Sequence, residues 1–210
     1  MELACAARTA LDAAGCFGCV IRLLTGNAEP FVDGPSGFRK RVGRALREHC
    51  ILSLPDRAAV IFRDHVLCVS GMDYPTDFTV LATGSAAPDL LRGSGLRLDA
   101  RGYAHIRQTL QTQGHPEVFA AGDCATLVDH PLPRSGVYAA HQGPVLAHNL
   151  VAALASRPFR HYTPQRRALY LLRTSKHNAI ASWGRFSWSG RWMWHWKDEI
   201  DRRFIRRMHG

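Results

Sequence analysis

VFAAGDCA, residues 118–125, is a short apolar run that stops on Gly122-Asp123. Val118 to Ala121 reads as a strand. Gly122 at its end has no Cβ to hold a bound molecule away from the backbone, and the Asp123 carboxylate can accept a hydrogen bond from a hydroxyl. Gly136 to Ala155 reads as a helix that starts a few residues later. Its free N–H groups and positive dipole end would point at whatever sits on the Gly-Asp turn. Pro144 inside that helix removes a donor and clashes with the preceding turn, so a kink or a second helix is expected there. Gly-Asp alone is a common turn, and its weight comes from what surrounds it.

Working back from this turn, Phe78 to Ala82 reads as a buried strand running into Thr83-Gly84. Before it lie three short β-rich runs, 51–54, 58–62 and 66–70, separated by Pro55-Asp56 and Arg63-Asp64-His65. The spacing of Phe38, Val42, Ala45, Leu46 and His49 predicts an amphipathic helix over 37–50. A strand over 20–25 precedes it, and an Ala- and Leu-rich helix over 2–14, stopped by Gly15, opens the chain. Forward of the turn, 167–173 and 178–186 read as a hairpin across Ser175-Lys176-His177, and a Trp- and Arg-rich amphipathic helix runs from about Gly190 to Met208. The composition turns to Gly, Arg and Asp over 88–102, which places a crossover between domains there. The domains expected are 1–87, 88–160 and 161–210.

The chain has 210 residues, a 46% apolar share and a formal charge of +10. No apolar run approaches the roughly 20 residues of a spanning helix, and Met1 to Arg8 lacks the pattern of a signal peptide. A cytoplasmic protein is therefore expected. The positive charge raises the prior for an anionic partner, but no nucleic-acid-binding motif accompanies it, and nucleic acid is not expected as a partner. Six cysteines are scattered, and only Cys16-Phe17-Gly18-Cys19 has redox or metal-like spacing. No second CxxC or nearby histidine completes a zinc site, so no metal is expected and the cysteines read as buried or loop thiols.

Three stretches in this order, VLATGSAAP (80–88), HPEVFAAGDCA (115–125) and PRSGVYAAHQGPVLAHNL (133–150), resemble the pyridine nucleotide-disulfide oxidoreductase family of FAD enzymes. The resemblance implies that Ala82, Thr83 and Gly84 form the strand end at the crossover between NAD and FAD domains. It makes Gly122 and Asp123 flavin contacts and places Gly136, Val137 and Tyr138 at the helix start beneath the isoalloxazine. YTPQRRALYLL (162–172), AIASWG (179–184) and GRWMWHWKDEIDRRF (190–204) are similar to the tail of the NADH-dehydrogenase-like flavoprotein often fused ahead of selenide, water dikinase.

The implied fold is α/β: a partial, two-domain Rossmann-like FAD/NAD(P)-binding fold of the three-layer ββα type, lacking its N-terminal FAD half, with a C-terminal β-hairpin and amphipathic helix. The implied activity is hydride transfer from NAD(P)H to FAD and then to an unidentified acceptor, a quinone or a selenium species. Both glycine-rich loops of the family would precede Met1. The expectation is thus that an upstream segment, as a separate product or an unread start, completes the enzyme, with selenide, water dikinase as a further partner. The alternative is a non-catalytic remnant or interaction module that holds no cofactor alone.

No catalytic side chain is assigned, because the flavin carries the chemistry. His141, Gln142 and Arg134 read first as packing or capping residues. Thr25-Gly26-Asn27 stands where the family places an acid for the NAD ribose, leaving Glu29 nearby, so the choice between NADH and NADPH is not readable. Cys16 and Cys19 do not fall at the positions of the family's redox pairs, so a thiol relay is not expected. The five tryptophans of 183–196 beside Arg202, Arg203, Arg206 and Arg207 suit docking onto the protein's own core first and a membrane surface second.

Overall fold

A computed structural model describes residues 1–26, 29–31, 34–165 and 169–209. Asn27, the first residues of the expected hairpin (167 and 168) and the side chains of Arg207 and Met208 lie outside the described parts. The chain folds as two compact units, 1–80 with 167–210, and 81–166.

The first unit opens with α1 (Glu2–Ala13), an Ala-rich run of good helix formers. It ends in a Schellman motif: Gly15 takes φ +75°, the Cys16 N–H reaches the Leu11 carbonyl at 2.8 Å and the Gly15 N–H reaches that of Asp12 at 3.1 Å. β1 (Ile21–Leu24), α2 (Ser36–Glu48) and β2 (Ile51–Leu54) form a βαβ unit whose strands pair in parallel from Ile21–Ile51 to Leu24–Leu54. Phe38, Val42, Ala45 and Leu46 recur at helical spacing and are buried as expected. β3 (Ala58–Ile61), β4 (His65–Cys68) and β5 (Asp73–Pro75) make a separate antiparallel sheet.

The strand expected over 78–82 does not form. This segment belongs to no helix or strand, and Phe78 is 83% exposed, with Val80 and Leu81 also exposed. A buried strand needs neighbours to take its backbone hydrogen bonds, and no described strand pairs with these residues.

In the second unit β6 (Ala104–Ile106), β7 (Gln111–Thr112), β8 (His115–Phe119) and β9 (Ala125–Leu127) form a sheet in the order β8-β7-β6-β9. β6 and β9 pair in parallel and the others antiparallel. Pro116, which cannot donate to a ladder, sits in the edge strand β8, where such a residue is tolerated. α3 (Gly136–Leu154) is one helix of 19 residues with Pro144 inside it, and no second helix begins at the proline. Its Val145 and Leu146 pack on a core of Ile106, Leu110, Leu127 and Tyr162. Asn149 is fully buried and satisfied: its amide nitrogen donates to the carbonyls of Thr109 and Arg160, each at 2.9 Å, and its oxygen accepts the Arg160 N–H at 2.8 Å.

The chain then returns to the first unit through β10 (Leu169–Ser175), β11 (Asn178–Trp183), β12 (Phe186–Gly190) and α4 (Arg191–His209). The expected hairpin is present and gains β12 as a third strand. Side chains alternate along β11. Ile180 joins Cys5, Phe38, Val42 and Leu46 in one core, whereas Ala179 and Ala181 meet Met193 of α4 in another. β11 is therefore covered on both faces. α4 turns Met193 and Trp194 toward the sheet and leaves Trp192 (60% exposed) and Trp196 outward. Four ion pairs at helical spacing, Lys197–Asp201, Arg202–Asp198, Arg203–Glu199 and Arg206–Glu199, lie along it.

Candidate functional site

After β8 the backbone stays extended to Ala121 and then turns through one short 3-10 segment, Gly122–Cys124. Gly122 takes φ +70°, and a Cβ there would lie 3.4 Å from that of Ala139. Glycine is favoured here by the left-handed backbone, while a Cβ would meet Ala139 of α3 at no closer than van der Waals contact. The turn is fixed by Gln142, only 5% exposed, whose Oε1 accepts the Gly122 N–H at 2.6 Å. Asp123 is exposed and has no hydrogen-bond or ion-pair partner among the described residues.

The start of α3 faces this turn. Its N-cap, Ser135, makes no capping hydrogen bond with its side chain, and the Ser135 Oγ is shielded from solvent and without a partner. The Tyr138 N–H already donates to the Ser135 carbonyl at 3.1 Å, so the amides of Gly136 and Val137 are the first-turn donors left to this end, together with the positive pole of the helix dipole. Gly122, Asp123, Ser135, Tyr138 and Gln142 line a pocket of about 20 Å³ together with Arg134. That is room for about one water. The arrangement is a floor of polar groups on which a larger molecule could lie, with an acid on one side and helix donors on the other.

Beneath the floor a charged network holds Arg134. The Asp99 carboxylate accepts the N–H groups of Arg101 (2.8 Å) and Tyr103 (3.0 Å) on one oxygen and the Thr126 hydroxyl (2.8 Å) on the other. Arg134 donates to Thr126 Oγ1 at 2.9 Å, lies 3.6 Å from Asp99 and stacks 3.3 Å above the centre of the Tyr103 ring. Burial pushes the Asp99 carboxyl up, but the hydrogen bonds from Tyr103, Thr126 and Arg101 and the Arg134 charge outweigh it, and the group sits below the usual aspartate value. Asp99 is therefore an anion that orients Arg134 at the pocket wall.

Of the residues expected from the sequence, Gly122, Asp123 and Tyr138 line the pocket, and Gly136 and Val137 begin the helix directly after Ser135. Ala82, Thr83 and Gly84 are exposed, belong to no helix or strand and are not among the lining residues. His141 is turned back onto its own helix, 2.8 Å from the Val137 carbonyl. Ser135, Asp99 and Thr126 were not anticipated. LDARGY (98–103) carried a signal for one of them, since an Asp three residues before a Gly, as in Asp99-Ala100-Arg101-Gly102, suits a turn in which the side chain bonds the backbone two residues on.

The family described as pyridine nucleotide-disulphide oxidoreductase matches residues 1–155. Ferroptosis suppressor protein 1 of Xenopus tropicalis is 29% identical over 118 residues, 56% of this chain and 28% of that protein. The alternative NAD(P)H-ubiquinone oxidoreductase C1 of Arabidopsis thaliana is 39% identical over 87 residues, 38% of this chain and 17% of that protein. The chain thus spans less than a third of the length of either relative. Among solved structures, the sulfide:quinone oxidoreductase of Aquifex aeolicus superposes with a TM-score of 0.77 at 17% identity, covering 97% of this chain and 53% of that one. At that identity the likeness is one of fold, and it identifies the α/β arrangement as part of a Rossmann-like FAD/NAD(P)-binding architecture.

Proposed function

The chain belongs to the pyridine nucleotide-disulphide oxidoreductase family, a family of FAD-dependent NAD(P)H oxidoreductases, and from that premise we propose that residues 81–166 carry its flavin-contacting surface. The observation that carries this is the unpartnered, exposed Asp123 carboxylate beside the uncapped start of α3. The donor set fits the group. Asp123 would accept a ribityl hydroxyl, Gly122 would let the ring system lie against the backbone, and the first amides of α3 would face the pyrimidine edge. The unpartnered Ser135 Oγ is a further polar atom for the same edge. FAD, when bound, supplies hydride acceptance from NAD(P)H and delivery of electrons to an acceptor. The chain's own part is to hold the pyrimidine edge in a positive field, which favours the reduced form.

Under this reading the acceptor is a quinone or a selenium species, the quinone being supported by the likeness to the NAD(P)H-ubiquinone oxidoreductase of Arabidopsis thaliana. No G-x-G-x-x-G loop occurs in the sequence, so tight retention of FAD would call on a segment that carries one, in the same polypeptide or another, and selenide, water dikinase is a proposed partner. Among the described residues no helix is long and apolar enough to cross a membrane, and we place the protein in the cytoplasm, with α4 touching the inner membrane face. A second reading, an interaction module without cofactor, is favoured by the pocket's small volume.

The test is the visible spectrum of the purified chain with FAD, before and after gel filtration. A flavin band that stays with the protein and is lost in Asp123→Ala supports the first reading. A colourless protein, even when a segment bearing a phosphate loop is added, supports the second.

A further inference from the structure

Cys16 and Cys19 take no part in the site described above, and both are exposed free thiols. Their backbone is held in an unusual way. Arg8 of α1 is only 5% exposed, and its two terminal nitrogens reach forward to the loop: Nη1 donates to the Cys19 carbonyl at 2.7 Å and Nη2 to the Cys16 carbonyl at 2.9 Å. The same Nη2 pairs with Asp12 at 2.8 Å, which fixes the guanidinium from the other side. Arginine's planar fork is suited to this task, since both bonds leave one rigid plane and each is charge-assisted.

Cys16 is anchored independently by the Schellman end of α1, through its N–H to Leu11. Between the two cysteines the chain turns over Phe17 and Gly18, so Cys16 and Cys19 occupy the first and last positions of a four-residue turn. Such positions have Cα atoms within about 7 Å of each other, which overlaps the 4.4–6.8 Å (roughly) that a disulfide spans.

We infer that Cys16 and Cys19 form a reversible dithiol–disulfide site, oxidised by small-molecule disulfides of the glutathione class. The thiolate of one cysteine attacks a sulfur of the small disulfide; a mixed disulfide forms and one small thiol leaves. The second cysteine's thiolate then attacks the protein-side sulfur, the intramolecular S–S bond forms and the second small thiol leaves. Two protein thiols are oxidised, one small disulfide is reduced, and both protons end on the released thiols. Arg8 holds the backbone of the turn in the thiol form, so ring closure asks for rotation of the side chains, the Cys16 Sγ now lying 3.9 Å from the Ala14 carbonyl. The closed loop is short, so the bond constrains the unfolded chain little. An exposed disulfide of this kind is of the labile, exchangeable class.

The full chain is incubated in glutathione redox buffers, alkylated and digested with trypsin. Cys16 and Cys19 are the only cysteines of the peptide Thr9–Arg22, and exposed Cys50 serves as an internal control. The expected result is a Thr9–Arg22 peptide two hydrogens lighter, with glutathione attached to Cys50 alone. In Cys16→Ser, Cys19 then retains glutathione. Arg8→Lys, which keeps the charge and loses the fork, shifts the oxidation midpoint toward a roughly tenfold more oxidising buffer, the loss of one charge-assisted hydrogen bond. Two glutathiones on Thr9–Arg22, or a peptide that stays reduced while Cys50 is modified, overturns the inference whatever the behaviour of the Arg8 variant.

Discussion

The backbone N–H of Gly122 ends on the side-chain oxygen of Gln142, 2.6 Å away and twenty residues further along the chain. That one bond joins the turn that presents Asp123 to the second turn of α3. Gln142→Ala leaves the donor of half-buried Gly122 unpaired, and we expect a loss of about 1 kcal/mol. The midpoint of urea unfolding reads this directly.

Asp123 should behave in the opposite way. Its carboxylate is exposed and bonds to no described residue, so Asp123→Asn should move stability by less than about 0.5 kcal/mol. Flavin affinity, read by the quenching of FAD fluorescence, should fall roughly tenfold or more with the loss of a charge-assisted bond. Equal losses of stability and affinity would mean that the carboxylate is structural.

Asn149 anchors the far half of α3 through three hydrogen bonds to the backbone at Thr109 and Arg160. Asn149→Ala takes this partner from three backbone groups, one at half-buried Thr109 and two at exposed Arg160. We expect a cost of about 1–3 kcal/mol, seen as a drop in thermal midpoint with the spectrum of the native state retained at low temperature.

The Asp99 carboxyl is held below its usual value in the folded chain. A depressed folded value stabilises the fold above the unfolded value of about 3.9 and is lost as pH falls through the folded one. Urea unfolding between neutral pH and pH 3 should therefore show stability declining with acid. Asp99→Asn should flatten part of that decline without abolishing it, since Asp56 and Asp64 are held low as well, mainly by hydrogen bonds from Ser70 and His65.

On α4 the outward tryptophans and the paired arginines make opposing contributions to membrane contact. The ion pairs engage Arg202, Arg203 and Arg206 on the helix, and although six basic residues against three acidic ones leave it a charge of +3, the apolar part of binding should rest on the outward Trp192 and Trp196. Sedimentation with anionic vesicles should fall several-fold in the Trp192→Ala, Trp196→Ala double variant. Unchanged sedimentation would remove the membrane from the proposal.

The legibility of these features follows their range. α2 could be read because its buried face repeats every three to four residues, and the Gly122-Asp123 turn because only glycine suits its φ of +70°. β5 escapes a sequence reading because DYP is three residues long without apolar alternation, and β12 because FSWSG, although it alternates, is short and bounded by glycines at 184 and 190; pairing with a neighbour makes both strands. The run at 78–82 failed for the converse reason: it has a strand's composition and no described neighbour. No second helix begins at Pro144, because α3 is held from outside by its core contacts and by Asn149. The Asp99–Thr126 bond spans 27 residues, and no local pattern announces a partner that far away.

The bare stretch at Phe78, Val80 and Leu81 also governs how the molecule behaves in a tube. Apolar, exposed and without a pairing strand among the described residues, it offers an adhesive patch to any other copy it meets. Solubility should thus be set by protein concentration and temperature more than by the stability of either unit. A single charged replacement, Val80→Lys, should raise the concentration at which light scattering begins while leaving the unfolding curve in place.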